Sequence, residues 1–169
     1  MVAPTAAEAV RSPQDLVSET IKAYNDHDLD RLAELHDPSA RITFAGVDGD
    51  IGLEGWWSSL QALFTMLPDF TLWPLTVLAD DQAAMIEMNL TGTNTGEIPL
   101  TPDDQTSLGL DVDHLPPTGR LIEVAGVVVL RTADGRVTQE THYWPRHWLD
   151  EGLGLVTVEA RPLRLETSA

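Results

Sequence analysis

Apolar positions along this chain recur first at helical spacing and later in alternation. Leu16, Val17, Thr20, Ile21 and Tyr24 share one face of a helix that opens at Ser12-Pro13, with Asp15 at the capping-box spacing. A polar link, Asn25 to Asp28, separates it from a second helix, capped by Asp28 and apolar at Leu29, Leu32, Ala33 and Leu35. After a short strand, Arg41 to Gly46, a third helix carries Trp56, Trp57, Leu60, Leu63, Phe64 and Leu67 and stops at Pro68.

From residue 70 the period changes to two. Runs at 70–79 and 83–96 flank Asp80-Asp81-Gln82, and runs at 120–132 and 136–144 flank Ala133-Asp134-Gly135, so each pair reads as a hairpin. Three helices followed by antiparallel strands predict an α+β fold with the helices on one sheet face. In 84–94 the even positions, Ala84, Ile86, Met88, Leu90, Gly92 and Asn94, form the face that meets the helices. Ile122, Val124, Val128 and Leu130 do the same in the next strand. In the last strand the odd set Val137, Gln139, Thr141 and Tyr143 is expected inside, with Arg136, Glu140, His142 and Trp144 outside. The segment 97–119 between the hairpins reads as a functional cover or a disordered loop.

A length of 169 residues fits one domain, drawn as residues 13–155 between a flexible tail, 1–12, and a C-terminal extension, 156–169. Composition then narrows the partners. There are 27 acidic and 10 basic residues, a formal net charge of −17, which disfavours nucleic acid and anionic membrane surfaces. The absence of cysteine excludes disulfides, thiolate catalysis and cysteine metal sites. No apolar run approaches the roughly 20 residues of a membrane span. The first dozen residues lack the basic start and apolar centre of a secretion signal, so a soluble cytoplasmic protein is expected. His142 and His147 are not spaced to share one face, and no carboxylate–histidine set has ligand spacing. No phosphate-binding glycine loop is present. Neither a metal nor a cofactor is expected.

Five stretches together resemble the SnoaL-like polyketide cyclases of the nuclear-transport-factor-2-like superfamily, over residues 14–155. They are AYNDHDLDRLAEL near the start, GTNTGE at 92–97, PPTGR at 116–120, DGRV at 134–137 and WLDEGLGL at 148–155. The resemblance implies a cone: about three N-terminal helices packed on a curved antiparallel sheet around an apolar pocket. It also implies a homodimer through the outer sheet face, and a cofactor-free ring closure of the aldol type. Catalysis in the family rests on an aspartate at the end of the last strand, assisted by a histidine one strand earlier. Ungapped alignment puts Pro145 at the aspartate and Val128 near the histidine, and neither can move a proton. Asn94 stands where many relatives carry histidine. Asp150 restores an aspartate only through a gap, in a stretch that reads as helix or turn.

General acid–base work needs a titratable group held against the substrate. The cluster ETHYWPRHW at 140–148 supplies Tyr143, inward by parity, and its neighbour His142. Asn94, at the end of the inner wall, and His114, in the long loop, complete the catalytic candidates. Tyr143, His142 and His114 each have a plain alternative, as a core tyrosine or as an interfacial or solvated histidine. Trp56, Trp57, Phe64, Met66, Phe70, Met88, Gln139 and Trp144 are candidate substrate contacts, and most of the helical ones also read as core. Arg120 could hold a carboxylate or enolate oxygen, or pair with Glu97 or Glu123. His27, in the link between helices, reads as structural. The expected function is an enzyme of secondary metabolism that cyclises, isomerises or opens an epoxide in an apolar polyketide-like or terpenoid substrate. The alternative is a non-catalytic binding or chaperone protein using the same pocket.

Overall fold

Local chemistry sets the helices where the apolar spacing puts them. The Ser12 hydroxyl accepts from the Asp15 N–H at 3.2 Å, and the Asp15 carboxylate accepts from the Ser12 N–H at 3.2 Å. This reciprocal box starts α1 (Pro13–Asn25). Asp28 accepts from the Arg31 N–H at 2.9 Å and starts α2 (Leu29–Leu35). In the link between them, His27 is left-handed, with φ of 55°, and stacks on Phe64 with ring centroids 4.1 Å apart.

The computed structural model describes residues 10–102, 105, 111–145 and 147–154. Beyond the first two helices come β1 (His36–Phe44), β2 (Ile51–Gly52), α3 (Leu53–Met66), β3 (Thr71–Ala79) and β4 (Ala83–Thr93). They are followed by β5 (Ile98–Pro99), β6 (His114–Leu115), β7 (Leu121–Ala133), β8 (Arg136–Tyr143) and α4 (Trp148–Leu153). Most of the N-terminal tail and all of the 156–169 extension lie outside the described residues.

Six strands form one sheet in the order β2-β1-β8-β7-β4-β3. The predicted hairpins β3–β4 and β7–β8 are both present. In the second, Asp134 and Gly135 have φ of 51° and 72°, the left-handed pair whose twist suits a two-residue turn. One pairing departs from a wholly antiparallel sheet: β1 runs parallel to β8. β1 also starts earlier than expected, at His36 directly after α2, and this lays His36 beside the last strand. Within the long segment, β5 and β6 pair as a two-stranded ladder.

The even positions of β4 are buried, as expected, and α1 packs on β3, β4 and β7 while α3 packs on β1. Leu16, Leu32, Leu60, Ile86 and Leu130 are at most 1% exposed and form the centre of the core between helices and sheet. No helix among the described residues is long and apolar enough to cross a membrane.

The last strand corrects the expected parity. Val137 pairs with Thr132 and faces inward, fully buried. Gln139, however, pairs with Arg131, so Thr138 is an extra residue on β8, and the register against β1 shifts in the same region. Such a bulge moves every later side chain to the opposite face. Glu140 and His142 therefore point into the core, and Tyr143 is 49% exposed on the outer face.

Candidate active site

Helices and sheet enclose a cavity of about 200 Å³. Its wall is largely apolar: Ile86, Met88 and Leu90 from β4, Leu60 and Met66 from α3, and Phe70. Several of the polar exceptions gather around β8, and Thr20 of α1 and Ser59 of α3 also line the wall. Glu140 and His142 are both in the wall, with Tyr24 from α1 and Trp56 from α3 beside them.

Glu140 is fully buried and accepts three hydrogen bonds. His36 Nε2 lies 2.8 Å from one oxygen; His142 Nε2, at 2.8 Å, and the Tyr24 hydroxyl, at 3.1 Å, reach the other. Burial alone would raise the Glu140 pKa, but the hydrogen bonds from His142 and His36 hold it well below the usual carboxylate range. Burial would likewise lower His36, and the hydrogen bond and charge of Glu140 more than reverse this. Burial, then the neighbouring Glu140 charge, pushes Tyr24 well above the ordinary phenol value.

The partners assign the protons. Both ring nitrogens of His36 face acceptors, Glu140 on one side and the Leu32 carbonyl at 2.7 Å on the other. With Glu140 ionised, His36 must donate twice and is an imidazolium. His142 is held differently. Its Nε2 donates to Glu140, while its Nδ1 lies 3.2 Å from the indole nitrogen of Trp144, a group that can only donate. His142 is therefore neutral, with a lone pair on Nδ1. The cluster of His36 cation, Glu140 anion and neutral His142 has no net charge, which lowers the cost of burying it.

Aromatic packing fixes the imidazole. His142 stacks on Phe44 at 4.9 Å and sits 5.1 Å from the Trp56 ring. Trp144, in the wall although expected outside, lies across Gly126 of β7, where an added Cβ would be 2.0 Å from the indole ring. Two histidines and a carboxylate are a familiar ligand set for metals. Here, however, each Nε2 points at a carboxylate oxygen, and among the described residues no His, Asp and Glu group is arranged to hold an ion.

The other candidates are dispersed. Asn94 is fully buried but outside the cavity wall: its amide donates to the Met66 and Gly96 carbonyls and accepts from the Thr118 N–H and hydroxyl. His114 is half-exposed beside Asp113 and borders a shallow surface hollow with Glu97. Tyr143 faces away from the cavity because of the bulge. Trp56, Met66, Phe70, Met88 and Trp144 are in the wall; Trp57, Phe64, Arg120 and Gln139 are not. Trp57 instead sets its face or edge against the back of His36 at 5.4 Å, and Phe64 is taken up by His27. Arg120 donates from Nε to the Gly152 carbonyl at 2.8 Å, and Gln139 donates to Thr141 on the outer face. Asp150 lies in the first turn of α4 with His147 at 3.4 Å, also outside the wall. Val128 is buried directly opposite His142 in the β7–β8 register.

Sequence reasoning missed Glu140, His36 and Tyr24. One signal was present: Glu140 and His142 are two apart on a strand, so they share a face whichever face it is.

The fold is shared with several solved structures. AclR from Streptomyces galilaeus, a proposed hydroxylase, aligns with TM-score 0.68 at 19% identity over 86% of this chain and 97% of its own. IdmH from Streptomyces antibioticus, a proposed polyketide cyclase, aligns with TM-score 0.64 at 23% identity over 84% and 98%. An epoxide hydrolase of LEH-like type from M. tuberculosis aligns with TM-score 0.57 at 15% identity over 83% and 87%. At these identities the likeness shows the fold. No curated protein matches the chain in sequence. The profile of the SnoaL-like domain matches residues 17–140, a stretch that runs from α1 to the buried carboxylate, and the chain belongs to that family.

Proposed function

We propose that this protein is a cofactor-free enzyme that moves a proton on a compact apolar substrate, polyketide-like or terpenoid, with His142 as the base. The observation that carries it is the state of His142: neutral, clamped, and bordering the cavity with its lone pair on Nδ1. A carboxylate behind the opposite nitrogen fixes the tautomer and stabilises the imidazolium once it forms, the same division of labour as in a serine-protease triad.

In the step itself, the Trp144 indole N–H turns off Nδ1, which then takes a hydrogen from a carbon next to a carbonyl. The C–H bond breaks, its electron pair passes into an enolate, and the proton stays on His142. Returning that proton to a different carbon completes an isomerisation. Returning it to the alkoxide formed when the enolate attacks a second carbonyl completes a ring closure. The trio then carries one extra positive charge, which the adjacent enolate balances. An apolar wall offers a nucleophilic water few partners, so ring closure or isomerisation is favoured over epoxide opening.

The test is exchange of the α-hydrogens of compact cyclic ketones such as 1-tetralone in D₂O, followed by NMR. Exchange above the buffer rate, reduced about 10²–10⁴-fold by His142→Gln, is expected. No enzyme-dependent exchange removes the catalytic role. A binding protein is the second reading, favoured by Trp144 occupying the Nδ1 lone pair. Tight ketone binding with no exchange would establish it.

Pairing of two copies through the outer sheet face belongs to the same proposal. Leu78, Met85 and Tyr143 are exposed there, on adjoining strands with Val127 and Val129. Sedimentation at micromolar concentration should show a dimer that Met85→Glu weakens.

A further inference from the structure

One buried side chain in the cavity wall is unsatisfied. Thr20, on α1, is 2% exposed, and its hydroxyl is the buried side-chain polar atom without a hydrogen-bond partner among the described residues. A threonine inside a helix ordinarily bonds back to the carbonyl four residues earlier. Thr20 does not, and nothing replaces that bond.

Apart from the half-buried Trp148 indole, the rest of the polar wall is committed. Tyr24 donates to Glu140 and accepts from the Trp56 indole; His142 is closed by Glu140 and Trp144; the Ser59 hydroxyl is turned back to the Gly55 carbonyl. An oxygen on a bound ligand therefore has one hydroxyl to meet that gives up no existing bond. Thr20 also sits one helical turn before Tyr24, on the same face of α1, so it is offset along the wall from the proton-transfer cluster. Threonine in a helix has two accessible side-chain rotamers, so one rotation exchanges its methyl and hydroxyl.

We infer that Thr20 is the substrate anchor: its hydroxyl hydrogen-bonds an oxygen on the ligand and selects compact apolar molecules carrying a carbonyl or hydroxyl over the bare hydrocarbon. This deepens the proposed function and rests on the cavity being the ligand site. It does not depend on His142 acting as a base. The chemistry it adds is discrimination: a site built to bond a ligand oxygen rejects the analogue lacking it, because its own polar group is then left unpaired.

The experiment compares 1-tetralone with tetralin, the same ring system without the oxygen, by quenching of the cavity tryptophans in the wild type, Thr20→Val and Thr20→Ser. Valine keeps the shape and removes the hydroxyl; serine keeps the hydroxyl. The wild type should bind the ketone about tenfold more tightly than the hydrocarbon, a single hydrogen bond's worth. Thr20→Val should lose most of that preference by weakening ketone binding alone, and Thr20→Ser should keep it. Thr20→Val should melt no lower than wild type, since it removes an unpaired buried hydroxyl, so loss of fold will not mimic the result. Preference surviving in Thr20→Val, equal binding of the two probes by the wild type, or binding of neither would each overturn the assignment. Failure of the catalytic role would look different: ketone preference intact, with no α-hydrogen exchange.

Discussion

Asn94 and Glu140 are both fully buried polar side chains, yet they belong to different kinds of site. Asn94 spends its amide on neighbouring backbone and on Thr118, joining the end of α3 to the turn before β7, and it is absent from the cavity wall. Glu140 is charged, its partners are two histidines and a tyrosine, and it borders the cavity. Burial therefore does not separate a structural polar residue from a chemical one. What separates them is whether the partners can exchange protons and whether the group meets space that a ligand can fill.

The largest effect should come from breaking the charged centre. Glu140→Ala leaves the His36 cation buried and unpaired and should lower stability by about 3–5 kcal/mol in urea denaturation. Full stability retained in that variant would mean that His36 is not charged in the folded protein.

The same pair gives a pH signature. Glu140 is depressed on folding, so its contribution is present above the ordinary value of 4.5 and is lost as pH falls through the folded value. His36 is raised, so its contribution is full below 6.5 and is lost as pH rises through the folded value. The stability difference between wild type and Glu140→Gln should thus be greatest between 4.5 and 6.5 and shrink on both sides. A flat difference across pH would remove the ion pair.

Asn94→Ala should come next. Opening four hydrogen bonds around a loop junction should destabilise by about 1–3 kcal/mol while leaving turnover per folded molecule unchanged. A kinetic defect larger than the loss of folded protein would place Asn94 with the chemical site after all. The smallest effect belongs to Tyr143→Phe, which removes an outward-facing hydroxyl and should change stability by less than about 0.5 kcal/mol and turnover not at all.

Much of the scaffold was legible. Capping residues, apolar spacing and turn chemistry act within a few residues, so the three N-terminal helices, both long hairpins and the buried face of β4 follow from local pattern. The candidate site was legible only in part. Of the side chains read as substrate contacts, Trp56, Met66, Phe70 and Met88 border the cavity, because large apolar side chains near a core are few, while Trp144 borders it against the outward parity expected for it. The polar centre was not legible. Alternation assigns faces only while the strand is regular, and a single added residue at Thr138 turned Tyr143 out and Glu140 in.

By itself, then, the sequence determined that Glu140 and His142 stand on one face of the last strand, and that a helix would carry Thr20 and Tyr24 on one side. Only the tertiary structure decided which face looks inward, because the bulge is set by the simultaneous pairing of β8 with β1 and β7. It also brought His36 across 104 residues to the carboxylate. A buried charge is stable only with its counter-charge in place, and that meeting depends on long-range packing that no local pattern encodes.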